Sequence, residues 1–386
     1  MAMVSVLVPV YNVAPYLPAC MDSILNQTLA DIEVLCGDGG STDGSLDILR
    51  EYERRDSRVC VISQKGYGYG QSMNNCLRMA TGEYIGIVES DDLISRTMYQ
   101  TLLRAAHRFD TDIVLSDFYL YWKDRKKIVG ILQYDREYGR VIDPHGQHEI
   151  FRAVIATWSG IYRRDFLLRN NIWYSETPGG AFQDVGFWCK ALCFARSVVA
   201  VHQPFYMWRQ DNPKSSVKQT SKIAENTYRE FALLTQFLES AAPDLLAEYL
   251  DGLTWRRAAS YLWVMEQLEG EAATGHLLRT AEDFRQLRER GLYSDRLFSG
   301  KELEFIKRAG LCFQKMPEEV ERLQLQWKLE EEQSALDCLK NSKEYRYARA
   351  LFLVPNAAKK VIALAKDRGV HNLIYSLKNK AKCGKE

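Results

Sequence analysis

The first 90 residues alternate between apolar runs and segments with apolar positions at helical spacing. Residues 4–10 and 32–36 are continuous apolar runs, which are typical of strands that are covered on both faces. The same region predicts strands over 58–62 and 84–88. It also predicts helices over 14–27 and 70–80, and a further helix between them that ends at residue 55. This order predicts an α/β fold with a doubly wound sheet and right-handed crossovers.

Polar clusters follow these predicted strands at the points where the strands end. The clusters are Tyr11-Asn12, Asp38, the glycine-rich loop 65–70, and the Glu-Ser-Asp-Asp run at 89–92. Ligands of a doubly wound sheet bind beyond the carboxyl ends of its strands. We therefore expect the four clusters to meet at one rim of the sheet.

The second half of the chain changes from a mixed pattern to a helical one. An aromatic-rich strand is predicted over 113–122, and polar loops follow it as far as residue 209. Beyond residue 215 the spacing predicts helices over 223–240, 244–268, 272–290, 300–309 and 318–339. We expect these helices to form a small bundle.

Composition and charge narrow the function classes. A length of 386 residues allows two domains, and a net charge of +1 excludes a globally basic nucleic-acid-binding protein. The nine cysteines contain no CxxC pair, and no run of 18 apolar residues is present. With no signal-peptide pattern at the N-terminus, these features predict reduced thiols and a cytoplasmic protein.

The charge is unevenly distributed. Residues 340–386 contain twelve Lys or Arg against three Asp or Glu, interspersed with apolar segments. Basic amphipathic segments of this kind lie in membrane interfaces. The tail predicts a peripheral contact with the inner face of the plasma membrane; packing on the protein's own body or a homodimer contact is the alternative.

The carboxylates at 89–92 suit a divalent cation. Hard cations such as Mg²⁺ or Mn²⁺ are held by one or two carboxylates together with substrate phosphates. Acidic residues are also favoured at the start of a helix, which gives this run a purely structural alternative.

Several segments, in order and spacing, resemble the signatures of family-two glycosyltransferases. They read VSVLVPVYN (4–12), DSILNQT (22–28), GSTDGS (40–45), GEYI (82–85) and SDD (90–92), then GGAFQDVGFW (179–188) and YMWRQDNPKSS (206–216). The last segment resembles bacterial members that make surface polysaccharide.

The resemblance implies a GT-A fold (Rossmann-like, with a mixed sheet) and an inverting mechanism. It also implies a catalytic domain at 1–216, with a nucleotide-sugar half at 1–100 and an acceptor half at 101–216. A helical appendage at 217–340 and the basic tail at 341–386 follow.

The resemblance also implies roles for individual residues. Tyr11 would stack on the nucleobase with Asp38 beside it, Asp91 would contact the ribose or the metal, and Asp92 would coordinate the metal. Asp184 would be the general base for the acceptor hydroxyl, although a helix cap is the structural alternative. Further residues assigned to the site are Pro9, Asn12, Lys65 and Gly68 on the donor side, His202 as a third metal ligand, and Trp158, Gln183 and Arg209 on the acceptor or phosphate side. Hydrogen bonding of His202 to backbone and core packing of Trp158 are the alternatives.

Two positions depart from the family pattern. Gly39 stands where the family usually has a second, base-reading Asp, and Met73 stands where many members have an Arg. The predicted reaction moves a sugar from a nucleoside diphosphate, with UDP as the leading candidate, to a hydroxyl of a glycan or lipid-linked acceptor in cell-surface polysaccharide synthesis. A catalytically weakened nucleotide- or glycan-binding relative is the first alternative, and a nucleotidyltransferase is the second.

Overall fold

The structure is a computed structural model that describes residues 2–63, 66, 68–178, 180, 182–213, 215, 220–312, 315 and 317–341. It divides into two compact units, Met1–Phe313 and Gln314–Glu386. Lys65 and the basic tail beyond residue 341 lie outside the described residues.

Strands and helices alternate through the first part of the Met1–Phe313 unit. In chain order they are β1 Val4–Val10, α1 Leu17–Leu25, β2 Ile32–Asp38, α2 Ser45–Arg55, β3 Val59–Ser63, α3 Tyr69–Met79, β4 Tyr84–Ile87, β5 Leu93–Ile94, α4 Met98–Phe109, β6 Ile113–Trp122, β7 Arg125–Val129, β8 Val141–Ile142, β9 Gly160–Arg163, α5 Arg164–Arg169, α6 Gln183–Phe194 and β10 Val198–Arg209. Two 3-10 helices, Asp135–Glu137 and His148–Arg152, lie between β7 and β9.

The strands form one mixed sheet in the order β3-β2-β1-β4-β9-β6-β10-β5, with β7 on β6 and β8 on β10. The strands β1 to β4 pair in parallel, and β9 is antiparallel to both β4 and β6. Since β10 is parallel to β6, the strands β1 to β4, β6 and β10 all point the same way. Their carboxyl ends therefore share one edge of the sheet, and the predicted doubly wound mixed sheet is confirmed.

The core sits where the sequence is most continuously apolar. All seven residues of β1 are buried, as are six of the seven in β2. A central strand that is covered on both faces carries no polar alternation, and this is why residues 4–10 read as one apolar run.

Helices make up the rest of the first unit: α7 Thr220–Ala241, α8 Pro243–Glu248, α9 Leu250–Met265, α10 Gly270–Glu289 and α11 Gly300–Cys312. The single helix predicted over 244–268 is two helices, because the chain turns at Tyr249. The Tyr249 ring is fully buried against Phe151, with ring centroids 5.5 Å apart. In the second unit, α12 spans Pro317–Asn341. No described helix is long and apolar enough to cross a membrane.

Helix α9 packs closely on the 3-10 helix His148–Arg152 through Gly252. A Cβ atom at Gly252 would come within 2.7 Å of the Phe151 Cγ atom and 3.1 Å of its Cβ atom, which lie too near the backbone to move aside. The Arg256 guanidinium donates to the backbone carbonyls of Phe151 and Ala153 from the same helix. The glycine therefore lets the helix and the sheet domain approach each other.

We expect Gly252→Ala to destabilise the protein relative to Gly275→Ala. Gly275 lies inside α10, where a Cβ atom would have no neighbouring atom within 4 Å, so both variants gain the same helix propensity. The difference between their free energies of unfolding is then the overpacking cost at Phe151, about 1–3 kcal/mol. Denaturant unfolding measures it, and equal stabilities of the two variants would contradict the close contact.

Candidate active site

The loops after β1 and β2 are tied together at the carboxyl edge of the sheet. The backbone N–H of Asn12 donates to Ser41 Oγ at 3.0 Å, and the Thr42 N–H donates to Asn12 Oδ1 at 2.8 Å. Asn12 has a φ of 53°, a left-handed conformation that Asn tolerates better than most residues. The next residue toward β1, Tyr11, is 64% exposed. A large exposed ring beside an ordered loop offers a flat face for a planar ligand.

Asp38 ends β2 and is fully buried. Its carboxylate accepts hydrogen bonds from the backbone N–H groups of Gly40 and Ser41, both at 3.1 Å, and from the Ser63 hydroxyl at 2.9 Å. These bonds fix the turn that follows the strand. The structure thus gives Asp38 a role in shaping the loop, and its direct contact with a nucleobase stays a prediction.

Two other donor-side residues are positioned by backbone. Pro9 lies inside β1 opposite Gly37 of β2. Gly68 precedes α3 in an extended conformation, and its carbonyl accepts the Ser72 N–H at 3.1 Å. Their contact with a donor stays a prediction.

The carboxylates after β4 meet the end of β10. Asp92 is buried, and its two oxygens accept from the Tyr206 hydroxyl at 2.8 Å and from the Arg209 N–H at 2.6 Å. Asp91 is half-buried, and its Oδ2 accepts from Asn212 Nδ2 at 2.7 Å. The two neighbours therefore differ: Asp92 is held by the protein on both oxygens, and Asp91 faces outward with one oxygen held.

Arg209 brings a positive charge to this pair. Its Nε donates to the Asp91 carbonyl at 2.7 Å. The guanidinium lies between the rings of Tyr16 and Tyr121, 5.0 and 5.1 Å from their centroids. Two aromatic faces hold the cation in place, and its Nη1 lies 3.5 Å from Asp211 Oδ1. A fixed guanidinium beside Asp91 is suited to an anionic leaving group, and contact of Arg209 with a phosphate stays a prediction.

Glu89 belongs to the same cluster, the run at 89–92 that is predicted to suit a divalent cation, although it has no individual predicted role. Its Oε1 accepts from the Tyr69 hydroxyl at 2.7 Å, and the Tyr69 bond alone would lower its pKa. Burial outweighs that bond and, with the charges of Asp91 and Asp184, raises the pKa of Glu89 to about 8. Only the fold shows that Asp184, more than 90 residues away in sequence, shares one electrostatic site with Glu89 and Asp91.

Asp184 stands in the first turn of α6. Phe182 directly before the helix has a φ of 71°, which is rare for an aromatic residue and marks a constrained turn. The Val185 N–H donates to Asp184 Oδ1 at 3.0 Å. Burial raises the pKa of Asp184 to about 6, and the backbone hydrogen bonds oppose this rise. Such a carboxyl group is mostly ionised at neutral pH and still basic enough to accept a proton.

Helix α3 packs tightly against the segment that leads to Asp184. Asn74 pairs with the Tyr174 backbone in both directions, each bond being 2.9 Å long. A Cβ atom at Gly70 would lie 2.0 Å from the Ser175 carbonyl oxygen, so only glycine permits this approach. The donor-side helix and the acceptor-side segment are therefore one packed body, with Tyr69 and Glu89 beside them.

Two residues predicted for the acceptor side are held by packing and hydrogen bonding within the protein. Trp158 is buried and packs on Tyr206 and Phe118, with ring centroids 4.2 and 4.9 Å away, which is the core-packing alternative. Gln183 is buried at the start of α6, and its Nε2 donates to Thr177 Oγ1 at 3.1 Å. We therefore do not assign Trp158 to the proposed site.

His202 is exposed and lies beside Asp117 and Tyr138. Its Nδ1 is 3.5 Å from Asp117 Oδ2, and no described hydrogen bond or ion pair joins it to Asp91 or Asp92. Over the described ranges, no group of three or more His, Cys, Asp or Glu side chains could hold a metal. Among the residues that the structure describes there is therefore no third protein ligand at this position, and we do not assign His202 to the metal site.

The residues present fit a cation that the protein holds only partly. Asp91 Oδ1 accepts no hydrogen bond from the described residues, and Arg209 stands beside it. Mg²⁺ and Mn²⁺ sites built from one or two carboxylates and substrate phosphates need no larger protein cage. Direct coordination by Asp92, whose oxygens both accept protein hydrogen bonds, stays a prediction.

Comparisons with known proteins identify the family and the fold. Residues 5–173 match the family model described as Glycosyl transferase family 2. This part of the chain belongs to that family. The chain is 34% identical over 219 residues to the uncharacterized glycosyltransferase EpsJ of Bacillus subtilis, and this alignment covers 55% of this chain and 62% of EpsJ.

A further relative and a solved structure extend the comparison. The cholesterol galactosyltransferase of Borreliella burgdorferi is 30% identical over 247 residues, covering 58% of this chain and 66% of that protein. The chain therefore spans somewhat less than two thirds of the length of either relative. The crystal structure of S. aureus TarS 1-349 in complex with UDP superposes with a TM-score of 0.59 at 18% identity, over 81% of this chain and 91% of that one. This likeness concerns the fold, and with the family match it confirms the predicted GT-A fold.

Proposed function

We propose that the chain is a metal-dependent, inverting glycosyltransferase that moves a sugar from a nucleoside diphosphate to an acceptor hydroxyl. One observation carries the proposal: Glu89 is near enough to Asp91 and Asp184 to sense both charges, and Arg209 donates to the Asp91 carbonyl. Residues 5–173 match the family 2 model, and Asp184 and Arg209 follow that stretch. Such a site combines a base with groups suited to a diphosphate. The same function class is named in the relatives that match the chain.

The proposed chemistry assigns one step to each group. Asp184 takes the proton from the acceptor hydroxyl while the oxygen forms a bond to the anomeric carbon. The bond from that carbon to the diphosphate oxygen breaks on the opposite face, and the nucleoside diphosphate leaves with the electron pair. Arg209 stabilises the leaving charge, and a divalent cation held by Asp91 would neutralise it further.

The proposed donor is UDP-linked, and the proposed acceptor is a glycan or lipid-linked hydroxyl in cell-surface polysaccharide synthesis. TarS, which shares the fold, is solved with UDP. The Borreliella relative is named for cholesterol, a lipid alcohol. The exposed Tyr11 ring is the proposed stacking face, and Gly39 in place of an Asp leaves base recognition to other groups.

We also propose that the protein is cytoplasmic and contacts the inner face of the plasma membrane through residues 341–386. Twelve basic residues between 340 and 386 support this proposal. Each contributes about 1 kcal/mol near an anionic leaflet.

The function is tested by release of nucleoside diphosphate from a panel of UDP-, GDP- and dTDP-sugars, each with Mn²⁺, Mg²⁺ or EDTA. We expect one donor to be turned over, with water as a slow acceptor, only when metal is present. No release from any donor, with water and with a panel of glycan and lipid acceptors, would contradict the proposal.

Activity is expected to rise with pH through an acidic limb near 6. Below the raised pKa of Asp184 the carboxyl is protonated and cannot accept a proton, so kcat/KM falls about tenfold per pH unit. Above it the base is ionised and the rate levels off. The kcat/KM profile between pH 4.5 and 8 measures this, and a profile that stays flat over this range would contradict Asp184 as the base.

A further inference from the structure

Glu230 is a buried carboxyl group that the proposed reaction does not use. It lies on α7, in the helical part of the first unit, and is 2% exposed. The Ser175 hydroxyl donates to Glu230 Oε2 at 2.8 Å, and the Thr177 hydroxyl donates to Oε1 at 3.5 Å. Burying a carboxyl group costs free energy unless hydrogen bonds satisfy its oxygen atoms. An apolar side chain would fill the same space without this cost, so packing alone does not explain Glu230.

Both hydroxyl groups that donate to Glu230 lie in the segment before Asp184, the proposed base. Thr177 Oγ1 also accepts from Gln183 Nε2 at 3.1 Å, and Gln183 directly precedes Asp184. On α6 itself, a Cβ atom at Gly186 would lie 2.8 Å from Glu230 Oε2, so the helix presses against this carboxyl group. Glu230 thus touches the segment before Asp184 and the helix turn after it.

We propose that Glu230 is a positioning residue that fixes residues 175–177 and the first turn of α6, so that Asp184 faces the acceptor hydroxyl. The inference rests on the proposed function. A second contact also holds the start of α6 in place: Phe182 packs on Trp263 of α9, with ring centroids 5.7 Å apart. Helices α7 and α9 of the first unit then pack against the residues that position Asp184.

The charges around Glu230 agree with this arrangement. The groups that face it are Ser175 and Thr177 from the preceding segment, and Asp184 and Lys190 from α6. Burial raises the pKa of Glu230 to about 7, and the negative charge of Asp184 adds to the rise. The Lys190 ammonium, which donates to the Trp173 carbonyl, opposes it. The two carboxyl groups are therefore near enough to sense each other's charge.

Glu230→Gln tests the proposal, because it keeps the size of the side chain and removes its charge. With the donor found above and water as acceptor, we expect kcat to fall about 10- to 100-fold, the effect of a base displaced by a fraction of an ångström to 1 Å. The donor KM and the UDP Kd should stay within twofold of wild type. The control Glu239→Gln, an exposed carboxylate on the same helix paired with Arg290, should leave all three unchanged.

Ser175→Ala provides a second measurement that does not depend on how well Glu230→Gln folds, and the double variant Glu230→Gln/Ser175→Ala measures the coupling between the two groups. Because the two groups act through one hydrogen bond, we expect Ser175→Ala to lower kcat as well. The double variant should then be no slower than the slower single variant.

Wild-type kcat in either single variant, or losses that multiply in the double variant, would overturn the role of Glu230 and leave the proposed function standing. If wild-type protein turns over no donor, the proposed function fails, and the role of Glu230 fails with it.

Discussion

Asp184→Asn is expected to lower donor turnover by about 10²- to 10⁴-fold with little change in UDP affinity. The amide has the same shape as the carboxyl group but cannot accept the acceptor's proton. Since Asp184 lies on α6 and the predicted donor contacts follow β1, β2 and β4, nucleotide binding should survive. Single-turnover measurements with saturating donor separate the two effects.

A matched control distinguishes catalysis from helix capping. Asp165 stands in the first turn of α5, as Asp184 does in α6, but is exposed and paired with Arg164. Asp165→Asn should leave turnover unchanged. If Asp184→Asn lowers only the thermal stability and keeps its turnover, the capping alternative is right and the base is another group.

Asp91→Asn is expected to remove most of the metal-dependent part of nucleotide binding. Replacing groups that merely orient metal ligands typically costs 10–100-fold in metal affinity, so loss of the carboxylate itself should cost about 100-fold or more. The Asn212 contact can re-form with the amide oxygen, and the fold should remain intact. Titration of UDP at fixed Mn²⁺ measures the change in Kd.

The outcome for Asp91→Asn is informative when compared with Asp92→Asn. Asp92 accepts hydrogen bonds from Tyr206 and Arg209 on both oxygens, so its amide variant should lose stability as well as binding. Asp91→Asn could instead keep the metal-dependent UDP affinity, while Asp92→Asn loses that affinity and keeps wild-type stability. This result would show that Asp92, and not Asp91, is the metal ligand.

The parts of the fold that depend on local pattern could be predicted from the sequence. Residues 4–10 are predicted as a buried strand because both faces of β1 are covered, and the structure confirms this strand. The position of the carboxylates after β4 follows from strand order. The antiparallel β9 between β4 and β6 could not be predicted, because pairing across more than 70 residues leaves no periodic signal in either strand.

Parts of the site depend on contacts that are distant in sequence. Glu230 is 55 residues from Ser175 and lies in a helix whose pattern is that of an ordinary bundle. Glu89 is visible in its motif, but its raised pKa comes first from burial and then from Asp91 and Asp184. Trp158 is open to two interpretations in the sequence, and only packing against Tyr206 decides between them.

The most direct test of a metal-assisted donor site is calorimetric titration of UDP into the full-length protein, with Mn²⁺ and with EDTA. We predict saturable binding at one site with Mn²⁺ and at least tenfold weaker binding with EDTA. We also predict that Asp91→Asn matches the EDTA result in both conditions. Equal affinity for UDP with and without metal, or no binding of UDP, GDP or dTDP in either condition, would contradict such a site at this edge of the sheet.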